Sequence, residues 1–247
     1  MVLRYETNLT KYKKIPGNPI AYWASQTVYD AFDNKSIEDL CSPKCGLKTG
    51  VTEKYVLCWH EVNESSIGFN CANRDIAKES GKKWFPASDG QEFRKWYGNN
   101  YDVVFWLNDG YEIRNLYMPN GKLKSRPQNM NYYFQRGITW SALTSKTLSL
   151  RLNREGNIIT GAGYGCFNNN IDLYPIMGLL NSKVANEFSR YLSGTLNFEV
   201  GVLSRIPVAS KIFDESISKI VEENIKISKQ DWDSFETSWD FKKHPLI

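Results

Sequence analysis

Histidine is almost missing from this chain: among 247 residues only His60 and His244 occur, and His244 sits near the C-terminal end. A Ser-His-Asp triad or a His-rich metal catalyst is hard to assemble from two such residues. No apolar run approaches the ~20 residues that cross a bilayer, and the first six residues show no basic-then-apolar export signal. The five cysteines are an odd number, so reduced thiols in a cytoplasmic protein are the simplest expectation. Membrane, secreted and disulfide-scaffold classes are excluded. Internal repeats, heptad runs and low-complexity blocks are also absent. Cys41-Ser42-Pro43-Lys44-Cys45 with Cys58, His60 and Cys71 holds enough soft ligands for a tetrahedral zinc. Cys58 lies in an expected strand, however, and the second pair is not closely spaced, so partly buried free thiols are the alternative.

Aromatic residues are plentiful, at 14% with 8 Trp, 14 Tyr and 12 Phe. Such rings must be buried in cores or offered to a partner. Charge is balanced overall at +4 but unevenly spread. Residues 91–154 hold ten Lys or Arg and four acids, a net of +6, while 211–247 hold six bases and eight acids, a net of −2. The basic stretch also carries Trp96, Tyr97, Trp106, Tyr111, Tyr132, Tyr133 and Trp140. Interleaved bases and rings suit a surface that neutralises phosphates and packs on nucleotides. A solvated charged face over an aromatic core is the other reading.

The pattern along the chain predicts an α+β protein with strands and irregular loops first and helices last. Residues 19–32 have helical spacing with Asn18 as cap, and 33–54 read as loop. Strands are expected at 55–59 and 101–106, and at 148–152 and 157–160 as a hairpin around Asn153-Arg154-Glu155-Gly156. Residues 107–131 read as a long exposed loop. A long amphipathic helix is expected from Asp172 through Leu192, with Pro175 in its first turn and Gly194 past its end. Ser210 opens a second amphipathic segment through Ile225, and Ser228 with Asp231 caps a third that ends before Pro245. A boundary near 207 would divide a body, 1–207, from a helical tail, 208–247.

Three motifs invite catalytic readings and fall short. Asn18-Pro19-Ile20-Ala21-Tyr22-Trp23 approximates the Asn-Pro-Pro-Tyr signature of amino-group methyltransferases, but the second proline is missing and the aromatic comes one place late. Gly161-Ala162-Gly163-Tyr164-Gly165 follows a strand, yet no helix start follows to hold a phosphate, so a tight turn or close backbone approach is the expected use. Asp89, Glu92 and Arg94 set acids near a base without the spacing of a metal-dependent nuclease.

Several strings in order resemble one family. They are 12–25 (Tyr-Lys-Lys-Ile-Pro-Gly-Asn-Pro-Ile-Ala-Tyr-Trp-Ala-Ser), 46–50 (Gly-Leu-Lys-Thr-Gly) and 92–100 (Glu-Phe-Arg-Lys-Trp-Tyr-Gly-Asn-Asn). Further along are 108–113 (Asn-Asp-Gly-Tyr-Glu-Ile), 136–141 (Arg-Gly-Ile-Thr-Trp-Ser), 178–185 (Gly-Leu-Leu-Asn-Ser-Lys-Val-Ala) and 195–201 (Thr-Leu-Asn-Phe-Glu-Val-Gly). Together they resemble the C-terminal half of the large adenine-specific DNA methyltransferases of BREX phage-defence systems, the PglX type, and of single-chain restriction–modification enzymes. The Leu-Leu-Asn-Ser helix with Arg205-Ile206-Pro207 is also similar to the target-recognition domains of type I specificity subunits.

That resemblance implies a recognition domain built on a mixed sheet, long loops and a long helix, whose S-adenosylmethionine site and catalytic signature belong to a domain outside this chain. No cofactor is expected on these residues. Double-stranded DNA and a catalytic domain or other defence subunits are the implied partners. On that reading Lys48, Arg94, Lys95, Lys122, Lys124 and Arg126 contact the phosphate backbone, and Thr49 also belongs to the DNA-binding set. Arg114, Gln128, Asn129, Asn131 and Arg136 read base edges, since Arg matches guanine and Asn or Gln matches adenine. Trp140 and Ser141 shape the cleft. A scaffold module of a defence complex docking through the acidic tail, a gene remnant, and a self-sufficient enzyme stand as alternatives.

Overall fold

A computed structural model describes residues 9–144, 146–168, 170–193 and 197–247. Among these residues the strands form two four-stranded sheets, and the protein is α+β as its sequence predicts. The first sheet has the order β1 (Ser42–Cys45), β8 (Gly163–Phe167), β5 (Gly137–Ser141), β6 (Leu150–Asn153), with every pair antiparallel. The second runs β2 (Val56–Cys58), β4 (Asp102–Phe105), β3 (Trp84–Ser88), β7 (Ile158–Ile159); its last pair is parallel, so this sheet is mixed. Short helices α1 (Leu9–Tyr12), α2 (Gln26–Ala31), α3 (Thr52–Tyr55), α4 (Arg74–Glu79) and α5 (Leu107–Arg114) punctuate the first half. Helices α6 (Tyr174–Leu180), α7 (Lys183–Leu192), α8 (Val200–Leu203) and α9 (Glu215–Trp232) follow the strands. No helix among the described residues is long and apolar enough to cross a membrane.

Burial explains where the elements settle. Ile138, Trp140 and Leu150 of the first sheet pack with Ile176, Met177 and Leu180 of α6 and with Val221, Ile225 and Trp232 of α9. Residues 208–247 thus contribute side chains to the same core as the body. A second cluster gathers Phe85, Val104 and Ile158 with Trp106, Ile113 and Phe134. Each fully buried side chain of this size contributes roughly 1.5–3 kcal/mol.

Several local expectations need correction. The 19–32 helix shrinks to α2, because Asn18 adopts φ 49° and Ile20 and Trp23 are 72% and 60% exposed. Before α2 the small Ala21 and Ala24 pack against the Tyr12, Ile15, Tyr29 and Tyr191 cluster, too little apolar surface to offset nucleating the missing turns. The 33–54 loop contains β1, whose Pro43 is tolerated because β1 is an edge strand. The expected 148–160 hairpin does not form: β6 pairs with β5, whereas β7 joins β3 in the other sheet. Phe134 separates them, accepting the Gly156 N–H and donating to the Asn157 carbonyl, both at 2.9 Å.

The single helix 172–192 is two helices. Asn181 turns its buried amide onto β6, accepting the Leu150 N–H at 2.8 Å and donating to the Leu150 carbonyl at 3.1 Å, and Ser182 caps α7 through the Ala185 N–H. Asp172 does accept the Tyr174 N–H at 2.9 Å, while Gly194 lies outside the described residues. In the tail, Asp214 caps α9, Ser228 lies inside that helix, and residues 233–247 form turns rather than a third helix.

The two sheets meet at Gly46. Its N–H reaches the Gly163 carbonyl at 3.2 Å, and Leu47 N–H reaches the Ile159 carbonyl at 2.8 Å. A Cβ on Gly46 would stand 2.8 Å from the Ile159 oxygen and 2.9 Å from the Gly163 oxygen, both rigid backbone atoms. The substitution Gly46→Ala is therefore expected to destabilise the fold by about 1–3 kcal/mol, measured by denaturant or thermal unfolding. An unchanged midpoint would contradict this packing.

Candidate nucleic-acid interface

Residues 116–124 form a small β-ribbon within the stretch expected to be loop. Tyr117 bridges Leu123, Met118 N–H reaches the Lys122 carbonyl at 2.8 Å and Lys124 N–H reaches the Leu116 carbonyl at 2.7 Å. Its turn, Pro119-Asn120-Gly121, has Gly121 at φ 77°, which glycine adopts without steric cost, and Asn120 Oδ1 accepts the Lys122 N–H. The ribbon stands on α5. That element opens with three left-handed residues, Asn108, Asp109 and Gly110, pinned because Arg74 grips the Asp109 carboxylate at 2.8 and 2.5 Å. Ser125 ties the ribbon's end down by donating to the Ile113 carbonyl at 2.6 Å.

A second backbone pairing carries the ribbon onto the sheet junction. Lys48 and Arg126 exchange both N–H···O bonds, at 3.2 and 2.7 Å. Lys48, Lys122, Lys124 and Arg126 are all exposed, and none forms an ion pair among the described residues. Residues 115–131 and 44–52 contain no Asp or Glu. Four cations are thereby held on one ribbon and its base without counter-ions. Exposed Tyr117 and Asn131 lie on the same segment. Lys44, 5.3 Å over the Tyr132 ring, adds a fifth cation that the sequence reading assigned only to the cysteine motif.

The remaining expected contacts are placed otherwise. Thr49 is buried. Gln128 and Asn129 spend their amides on the Gly46 and Cys45 carbonyls, at 2.9 and 3.0 Å, so they brace the 44–50 segment. Arg114 pairs with Asp109 at 2.7 Å. Arg136 stacks on Tyr174 and donates to its hydroxyl at 2.6 Å, beside Asp172, Glu215 and Glu222. Arg94 donates to the Tyr97 carbonyl at 2.7 Å and to Asp231 at 2.6 Å, over the Trp232 ring. Lys95 donates to the Asn181 carbonyl at 2.7 Å, and burial lowers its pKa. Trp140 is fully buried with its indole N–H on the Phe198 carbonyl, and Ser141 Oγ bonds the Gln91 backbone.

Among the described residues, neither the cysteines nor the glycine-rich segment is arranged as a ligand site. Cys41, Cys45, Cys58 and Cys71 are free, and no three His, Cys, Asp or Glu side chains are grouped to hold a metal among the described residues. The glycines after β7 are spent internally, since a Cβ on Gly163 would meet the Ser88 oxygen at 2.5 Å and one on Gly165 the Ile159 side chain at 2.2 Å. Their backbone therefore faces protein, which does not fit a cradle for S-adenosylmethionine. Asp89, a candidate nuclease acid, accepts the Gly90 and Ala162 N–H groups at 2.7 and 2.9 Å, bracing this turn. Gln91 donates to Asp102.

The chain is similar to one part of two adenine-specific methyltransferases. The chain is 34% identical over 247 residues to the adenine-specific methyltransferase PglX of Lacticaseibacillus casei, covering 98% of this chain and 20% of that protein. It is also 34% identical over 240 residues to the adenine-specific methyltransferase BrxX of Escherichia coli, covering 96% of this chain and 18% of that protein. The chain thus spans about a fifth of the length of these relatives, and the PglX resemblance read from the sequence holds over nearly all of it. No family model matches. The type IIL restriction–modification enzyme MmeI, solved in complex with DNA, superposes with a TM-score of 0.46 at 15% identity over 86% of this chain and 31% of its own, a likeness that assigns neither fold nor function.

The acids beneath the junction give a pH signature. Burial, followed by the nearby Asp89 charge, pushes the Asp102 carboxyl up to about 7. The folded state then holds a proton that the unfolded chain loses near pH 4, so stability falls as pH rises from about 4 to 7. Asp102→Asn is expected to be more stable than the parent at pH 8, on the order of 1 kcal/mol after allowing for solvent screening, with no gain near pH 4. Urea unfolding at the two pH values checks this; an equal difference at both contradicts it.

Proposed function

We propose that this chain is a DNA-reading segment of an adenine-specific methyltransferase of the PglX and BrxX type, acting in phage defence. The carrying observation is the acid-free ribbon at 116–124, which with its base displays Lys48, Lys122, Lys124 and Arg126 unpaired. A two-stranded ribbon fits the major groove of B-DNA, where base pairs present distinct donor and acceptor patterns. In this reading the four cations bind flanking phosphates and set register, while Asn120 at the tip and Asn131 present amides to base edges. Tyr117 and Leu123 supply apolar contact to the groove. Arg94, Lys95, Arg114 and Arg136 are engaged with protein partners and do not touch DNA at this site in this reading.

Methyl transfer belongs, in this proposal, to the remainder of such an enzyme, which also holds S-adenosylmethionine. The similarity to PglX and BrxX supports the parentage, and the filled glycine turn supports placing the cofactor elsewhere.

Binding of the full chain to a duplex oligonucleotide, followed by fluorescence anisotropy in rising salt, tests the reading. Replacing Lys122, Lys124 and Arg126 together with Gln should weaken binding and flatten the slope of log K against log salt by roughly 0.9 per lost contact. Arg94→Gln should lower stability without changing that slope. No binding by the parent chain at low salt, or a slope unchanged in the triple variant, contradicts the proposal.

A further inference from the structure

A second group of bases lies in a cleft of about 470 Å³ between α7 and the segment around Lys95 and Lys146. Lys183, Asn186, Glu187 and Arg190 follow each other at helical spacing along one face of α7. Lys95, Lys146 and Thr147 line the facing wall. The cleft therefore holds four bases and one acid, a net of +3, and that acid, Glu187, is already paired with Arg190 at 3.3 Å. Lys146 and Lys183 have no carboxylate partner among the described residues. Phe93 carries two ammonium groups over its ring, Lys146 at 5.2 Å and Lys95 at 6.0 Å. None of these residues belongs to the 116–124 ribbon or its base.

Folding alone does not call for this arrangement. Gathering four bases around a single carboxylate raises their mutual repulsion, and the wall lysine Lys95 is partly desolvated, which lowers its pKa. An anion in the cleft relieves both costs. Its shape selects the kind of anion. Lys183 and Arg190 are seven residues apart, about 10 Å along the helix at 1.5 Å per residue. That length matches roughly three nucleotides of one strand at 3.4 Å each. The bases are divided between two walls, Lys95 and Lys146 over Phe93 on one and Lys183 and Arg190 along α7 on the other.

We infer that this trough is a second, sequence-independent phosphate-backbone contact for duplex DNA, separate from the reading ribbon. The inference rests on the proposed function, since it extends how the chain grips the same duplex. Its role is to add affinity and fix orientation without selecting sequence.

The test uses the full chain and the duplex already described. Lys183→Gln with Arg190→Gln changes two exposed side chains, and retention of the parent's thermal midpoint confirms that the fold survives. The double variant should reduce the salt slope by about 1.8 on every duplex sequence tried. Combined with the ribbon substitutions, its effect should add. If the parent binds DNA and the ribbon variants weaken it while Lys183→Gln/Arg190→Gln leaves the slope unchanged, the trough is overturned and the reading ribbon stands. If the parent fails to bind duplex at low salt, both fall. Inorganic tripolyphosphate provides the second arm: saturable stabilisation of the parent that the double variant loses, with no change in DNA slope, would make the trough a small-polyphosphate site and overturn the inference.

Discussion

The close crossing of the two sheets at Gly46, Ile159 and Gly163 is the constraint on which the rest depends. Three backbone segments approach there with no room for a side chain at Gly46. From this crossing the 44–50 segment leaves β1, receives the amides of Gln128 and Asn129, and pairs with Arg126 through Lys48. The C-terminal end of the ribbon is thereby fastened twice, by Ser125 to the Ile113 carbonyl and by Arg126 to Lys48. Asp89 seals the other side of the turn by accepting two N–H groups. The proposed DNA-reading role would need such rigidity, because a misplaced donor loses its base-edge bond.

Partner geometry, more than net charge, sorts the basic residues. Arg94 and Arg154 reach acids of the C-terminal region, Asp231 and Asp240, and so fasten α9 and the turns after it to the sheets. Arg74 and Arg114 share Asp109 and hold a left-handed turn that would otherwise be strained. Arg151 is buried in β6, where desolvation depresses its pKa to about 10. Lys48, Lys122, Lys124 and Arg126 form no ion pair among the described residues, and they are the cations that the proposed function assigns to DNA.

The α+β class, strands β2 and β4, and the apolar face of 173–192 were legible because each rests on a local period or composition. The division of 148–160 between two sheets was not, since two neighbouring strands with a Gly turn look alike whether they pair together or enter different sheets. The break at Asn181 also escaped notice: its cause is a buried amide reaching Leu150, 31 residues away. Among the residues proposed for the site, Lys122, Lys124 and Arg126 stand in the sequence as bases between Gly and Pro signals. The internal roles of Arg94 and Arg136 depend on Asp231 and Tyr174, 137 and 38 residues distant, and no local pattern reveals such partners.

Hydrogen–deuterium exchange of the full chain with and without duplex DNA addresses the central claim most directly, because it reports which backbone segments a ligand covers. Slowed exchange should appear at residues 44–50 and 115–128. Bound duplex with those segments exchanging as in the free protein, and slowed exchange only around Asp172, Tyr174 and α9, would contradict the account.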